Sequence, residues 1–146
     1  MTPRSLTSIP FWLAAALLAT SAHGAQPSIR TELPGKWGVA GEANACATRA
    51  QTYRFEGGNR LRVSSAAALP LEQSLDRQQP REILYNIHPV FEDYPSVLRI
   101  ERDAETRISA AGRPLLWDIY LKDATTLCWH RYDTRNSECS VVLKKC

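Results

Sequence analysis

The sequence predicts an all-β fold: a small antiparallel up-and-down barrel or sandwich of about eight strands, held together by two disulfides. Apolar residues alternate with polar ones in several separate segments, which is the pattern of half-buried strands. Most of the connections between these segments are short, as in an antiparallel meander. The chain also contains four cysteines, an even number that indicates two bridges in an exported protein.

Residues 1–24 are predicted to be a secretory signal peptide. Arg4 supplies its positive end, and the apolar run at residues 9–19 is too short to cross a bilayer, which needs about 20 apolar residues. Small residues follow the run, as a cleavage site requires. Cleavage after Gly24 is preferred to cleavage after Ala25, because it places a small residue at position minus three.

The mature chain, residues 25–146, is expected to be one soluble domain without a stable membrane anchor. Its first cysteine, Cys46, lies too far along the chain to carry a lipid. The formal net charge falls from +3 to +2 when Arg4 is removed, and basic residues are interleaved with acidic ones, so nucleic acid is not an expected partner. Neither His88 nor His130 has the spacing of a zinc ligand, so no metal or cofactor is predicted.

The first strands are predicted at residues 37–40, 51–56 and 60–64. In the second of these, Tyr53 and Phe55 share one face. The residues between the last two segments are Gly57, Gly58 and Asn59, which tolerate the positive φ of a tight turn, so a hairpin is predicted here.

The same alternation predicts the later strands. They are expected at residues 82–88, 96–102, 115–122, 125–132 and 138–144, with another at 106–109, which makes eight or nine in all. The long connection at residues 66–81 is predicted to contain a short helix, with Leu71 and Leu75 on one face. This helix is expected either to cap one end of the fold or to act as a lid or a partner-binding segment.

Geometry favours two of the possible disulfides. In an extended final strand Cys139 and Cys146 would lie about 23 Å apart, too far for a bridge, which needs Cα atoms within about 7 Å. Cys128 and Cys139 flank a turn and would lie opposite each other if Arg131 pairs with Asn136. The preferred pairs are therefore Cys46–Cys146 and Cys128–Cys139. The alternative of Cys46–Cys128 with Cys139–Cys146 remains open.

The chain has none of the common catalytic motifs, so an enzyme is not predicted. The best candidate for a general base is His130, with Asp118 or Asp133 as its orienting acid. A lone histidine in a strand is usually structural, so no catalytic residue is assigned.

Residues Leu33-Pro34-Gly35-Lys36-Trp37 contain a G-x-W motif at the start of the first strand. In this respect the chain resembles the lipocalin-like (calycin) barrels. The resemblance implies that Trp37 plugs one end of a barrel beneath an arginine from the last strands, Arg131 or Arg135. The cysteine that follows the tryptophan, Cys46, is similar to that of the small periplasmic inhibitors of secreted metalloproteases.

Three functional hypotheses follow from these features. The leading one is an exported binding protein, periplasmic or secreted, that engages a protein partner as an inhibitor or immunity-type protein, through residues 26–34 and 66–81. The first alternative is a small apolar-ligand carrier, and the second is a hydrolase that uses His130. The carrier would bind its ligand in a pocket lined by Tyr53, Phe55, Tyr85, Trp117 and Trp129.

Overall fold

Eight strands close into a single antiparallel barrel, which confirms the all-β prediction and decides for a barrel over a sandwich. The computed structural model describes residues 27–67, 80–89, 93–133 and 138–146. The strands are β1 Gly35–Val39, β2 Gln51–Glu56, β3 Arg60–Ser65, β4 Glu82–His88, β5 Val97–Arg102, β6 Leu116–Asp123, β7 Thr126–Arg131 and β8 Val141–Lys145. Two short helices, α1 Ile29–Glu32 and α2 Ala45–Thr48, flank β1.

The topology is an up-and-down meander, because each strand pairs with the next one in the chain. The predicted hairpin is confirmed: β2 and β3 pair from Gln51 with Ser65 to Glu56 with Arg60, and Gly57 in the turn has a φ of +68°. The barrel closes where β1 pairs with β8, with Trp37 opposite Lys145. No edge of the sheet is left unpaired by this closure.

One local prediction differs from the structure, two short helices are additional to those predicted, and one prediction lies outside the described residues. The ninth strand at residues 106–109 is only an isolated bridge between Ile108 and Pro114, within the β5–β6 connection. The helices α1 and α2 were not predicted, since each is a single turn. The predicted helix around Leu71 and Leu75 lies outside the described residues, as does most of its connection.

The barrel interior is filled by side chains from alternate positions of the strands. The largest fully buried side chains are Trp37, Trp129, Tyr53 and Tyr85, each at most 1% exposed. They belong to one continuous apolar cluster that draws on every strand. A barrel of eight strands is just wide enough for its side chains to fill it.

Both preferred disulfides are confirmed. Cys46 and Cys146 have Cα atoms 5.7 Å apart, and the Cα atoms of Cys128 and Cys139 are 5.5 Å apart. The register proposed for the second pair is wrong, because Cys128 lies opposite Val142, and Cys139 reaches it from the segment before β8. Two bridges indicate an oxidising location for the folded protein. Within the described ranges, no helix is long and apolar enough to pass through a bilayer.

Candidate functional site at one end of the barrel

The end of the barrel at which β1 begins, here called the lower end, is closed by α1. Ile29 is 1% exposed and Leu33 is fully buried, so this segment inserts both apolar side chains into the barrel. The Trp37 indole Nε1 donates a hydrogen bond of 2.8 Å to the Leu33 carbonyl oxygen. The predicted barrel plug is therefore Trp37 together with the helix that precedes it. Gly35 begins β1 with a φ of +122°, a value that favours glycine.

Among the described residues, the cation over Trp37 is Lys145, which corrects the role expected for Arg131. The Lys145 Nζ lies 5.7 Å from the centre of the Trp37 ring. It also donates to the Glu32 carbonyl oxygen at 2.9 Å and to the Glu32 carboxylate at 3.0 Å. Arg131 lies opposite Trp117, at the other end of β7, and forms an ion pair with Asp133. Arg135 lies outside the described residues.

A groove of about 490 Å³ opens beside α1 at the lower end. Three hydrogen bonds join the segments around it. The Ile29 amide donates to the Pro95 carbonyl at 2.7 Å, and the Ile87 amide donates to the Asn59 carbonyl at 2.7 Å. The Arg30 guanidinium donates to the Gly58 carbonyl at 2.8 Å. The groove is thus bounded by segments that are bonded to one another, which makes it a pre-formed site.

The groove has an apolar floor and a polar rim. Ile29 and Leu98, which are buried, form part of the floor, and Arg30 lies at the rim. His88 also lines the groove, and its Nε2 lies 2.9 Å from the Glu101 carboxylate on the neighbouring strand. None of the described lining residues is acidic. Tyr94, which is 61% exposed, supplies a large aromatic surface at the opening.

The five aromatic residues predicted to line a ligand pocket are brought together, but as packed core. The ring of Trp129 lies 5.7 Å from Tyr85, 5.8 Å from Trp117 and 6.3 Å from Tyr53, between centroids. Phe55, which is only partly buried, lies under the Arg30 guanidinium at 4.8 Å. The groove is lined by other residues.

A buried hydrogen-bond chain runs through this aromatic cluster. The Trp129 Nε1 donates to the Tyr53 hydroxyl at 2.9 Å, and that hydroxyl donates to the Gln51 Oε1 at 2.7 Å. Burial raises the pKa of the Tyr53 hydroxyl far above its ordinary value, so it stays a neutral donor. The Trp117 Nε1 and the Gln51 Nε2 are buried without an acceptor in the described part of the chain. The two tryptophans therefore differ in hydrogen bonding although both are core residues.

His130 lies on the outer face of the barrel, in a row of polar residues that crosses four strands. In this row His88 pairs with Arg99, Arg99 with Asp118 and Asp118 with His130. The Asp118 carboxylate accepts two hydrogen bonds from the Arg99 guanidinium, at 2.8 and 2.9 Å, and the pKa of Arg99 is raised as a result. Both acids considered as orienting groups for His130 are therefore bound by arginines, Asp118 by Arg99 and Asp133 by Arg131. The described residues contain no cluster of three or more potential metal ligands.

Comparison of the chain with protein-family models, with curated proteins and with solved structures finds no match. The closed antiparallel barrel of eight strands is consistent with a lipocalin-like fold. The residues at the lower end that sequence reasoning missed include Lys145, Tyr94 and Leu98. Two signals in the sequence could have found two of them. Lys145 directly precedes Cys146, which was predicted to form a bridge, and Tyr94 directly precedes Pro95 in an irregular segment.

Proposed function

We propose that this protein is an exported, periplasmic binding module that engages a protein partner through the groove at its lower end, as an inhibitor or immunity-type protein. The observation that carries the proposal is the groove of about 490 Å³ with the exposed Tyr94 at its opening. Tyrosine and arginine are enriched among the residues that dominate binding energy, and Tyr94 and Arg30 both line this groove.

The surroundings of the groove support a rigid binding surface. The hydrogen bonds from Ile29 to Pro95 and from Ile87 to Asn59 hold its segments in place before a partner arrives. A pre-organised site loses little conformational entropy on binding, which favours affinity. The segment at residues 26–34, expected from the sequence to face a partner, contributes Ser28 and Arg30 to the lining.

The packing of the interior supports a protein partner over a small apolar ligand. The carrier hypothesis needs free space between Tyr53, Tyr85, Trp117 and Trp129, whereas Trp129 makes ring contacts with each of the other three. A guest among these rings would have to displace core side chains. The groove lies outside the barrel and needs no such rearrangement.

Substitution of Tyr94 tests the proposal. Wild-type protein and the Tyr94→Ala variant are immobilised and incubated with the periplasmic fraction of the producing cells, and bound proteins are identified and quantified by mass spectrometry. The control is Tyr132→Ala, since Tyr132 is also exposed, at 44%, but lies at the other end of the barrel. A hot-spot tyrosine costs about 2 kcal/mol or more when truncated, which is about 30-fold in affinity.

We expect one partner to be retained by the wild type and by Tyr132→Ala, and to be lost or weakened about 30-fold by Tyr94→Ala. Thermal melts of all three proteins show whether the variants are folded. The proposal would be overturned if Tyr94→Ala and Tyr132→Ala retained the partner equally, or if the wild type retained no specific partner from the periplasmic fraction.

A further inference from the structure

We infer that the groove recognises a chain end: an apolar carboxyl-terminal residue of the partner, with its side chain in the groove and its carboxylate on Arg30. This inference rests on the proposed function and names the chemistry of the partner that the same site would take.

The floor of the groove is suited to an aliphatic side chain. Ile29 and Leu98 are buried at 1% and 7% exposure, and Ile87 and Val97 also line the groove. All four are aliphatic, and Ile87 and Val97, which are only partly buried, still expose apolar surface that a ligand would remove from water. An apolar side chain is therefore favoured over a charged one at this depth.

The charge of the lining favours a carboxylate at the rim. Arg30 carries the permanent positive charge of the groove, no acidic residue lines it in the described part of the chain, and Arg30 forms no ion pair with a described carboxylate. One of the five guanidinium N–H groups is used by the Gly58 carbonyl, and the group lies 4.8 Å from the centre of the Phe55 ring. The remaining N–H groups form a fork, and such a fork binds a carboxylate with two parallel hydrogen bonds.

The position of the apolar floor next to Arg30 favours a chain end over an internal segment of the partner, because only a terminal residue carries an α-carboxylate. The hydrogen bond from Arg30 to Gly58 connects α1 to the β2–β3 turn on one side of the groove. The hydrogen bond from Ile29 to Pro95 connects α1 to the β4–β5 connection on the other side. A terminal residue also presents an apolar side chain and a carboxylate on the same carbon, which matches a floor and a rim that adjoin at Ile29 and Arg30.

Fluorescence polarisation with three labelled probes tests this inference on the full mature protein. The first probe is a fluorescein-labelled glycine–serine peptide that ends in leucine with a free carboxylate. The second is the same peptide as its carboxamide, and the third is extended by two glycines so that the leucine is internal. The variants are Arg30→Gln, Arg30→Lys and, as a matched control, Arg113→Gln, because Arg113 is an exposed arginine in the β5–β6 connection at the other end of the barrel.

We expect the free-acid peptide to bind, and either amidation or extension to weaken binding about tenfold, which is about 1.4 kcal/mol. Arg30→Gln should weaken binding of the free-acid peptide by the same factor and remove the difference in affinity between the free acid and the carboxamide. Arg30→Lys should retain part of the difference, since it keeps the charge without the fork. Arg113→Gln should behave as the wild type. Near-ultraviolet circular dichroism of each variant shows that the core around the tryptophans is unchanged.

Equal binding of acid and amide, equal binding of the extended peptide, or an Arg30→Gln variant that binds normally would each overturn the inference. Displacement of the peptide by a medium-chain fatty acid at lower concentration would also overturn it, because the site would then be one for a small amphiphile. If no probe binds while Tyr94→Ala still abolishes capture of the protein partner, the inference fails and the proposed function stands.

Discussion

Removal of the Cys46–Cys146 bridge is expected to destabilise the protein more than removal of Cys128–Cys139. The two bridges span 100 and 11 residues. In the chain-entropy model, closing a loop of about 100 residues contributes about 4.7 kcal/mol, and closing one of about 11 contributes about 2.8 kcal/mol. Cys128 is fully buried, so its replacement by alanine also removes about 1 kcal/mol of packing. The expected difference between the two double-alanine variants is therefore about 1 kcal/mol.

Urea unfolding monitored by tryptophan fluorescence measures this difference, with the free energies obtained by linear extrapolation. For a domain of about 120 residues, 1 kcal/mol corresponds to about 4 °C in the melting temperature, so thermal melts give an independent value. Non-reducing peptide mapping confirms that the remaining bridge is intact in each variant. A Cys128→Ala/Cys139→Ala variant that is as unstable as Cys46→Ala/Cys146→Ala would show that loop length does not determine the order.

Two further predictions concern the core and the response to acid. Trp129→Phe should cost about 1 to 3 kcal/mol more than Trp117→Phe, because it leaves the buried Tyr53 hydroxyl without its donor, whereas the Trp117 Nε1 has no acceptor among the described residues. Urea unfolding monitored by circular dichroism compares them, and equal costs would contradict the hydrogen-bond argument. The Thr126 hydroxyl, with the Thr125 amide and hydroxyl, lowers the pKa of Asp123 to about 2. Because this pKa is lower in the folded state, the stability it contributes is present above about pH 4 and is lost as the pH falls towards 2. As the pH falls over this range, the urea midpoint of Asp123→Asn should therefore decrease less than that of the wild type. An equal decrease in the two proteins would refute the assignment.

Much of the fold could be predicted because strand alternation is a local signal. Leu61 and Val63 in β3, and Trp117 and Ile119 in β6, face the interior as their spacing indicates. The register of β7 with β8 could not be predicted. Alternation fixes a register only where one face is exposed, and in β7 the residues from Thr126 to Trp129 are all buried. The register from which the Cys128–Cys139 pair was argued is therefore wrong, although the pair itself is confirmed.

The candidate site was less accessible to sequence reasoning, because its residues come from four separate parts of the chain. Arg30, Asn59, His88 and Tyr94 meet only after β2 to β5 have paired in register. The prediction that Arg131 covers Trp37 was wrong for a similar reason, since Lys145 lies there. Both residues end a strand, and only the pairing of β1 with β8 places Lys145 beside the tryptophan.

Because β1 pairs with β8, the barrel cannot close before the last strand has been synthesised. Until then β1 and β7 each present a row of unpaired amide and carbonyl groups, and such edges pair readily with other chains. Pairing of strands that lie so far apart in sequence is also slow. A nascent chain that lacks β8 would be an open sheet whose first strand, with Trp37 uncovered by Lys145, has no partner on one side. We therefore expect protection of this edge by a chaperone, until β8 has paired with β1, to govern the yield of folded protein.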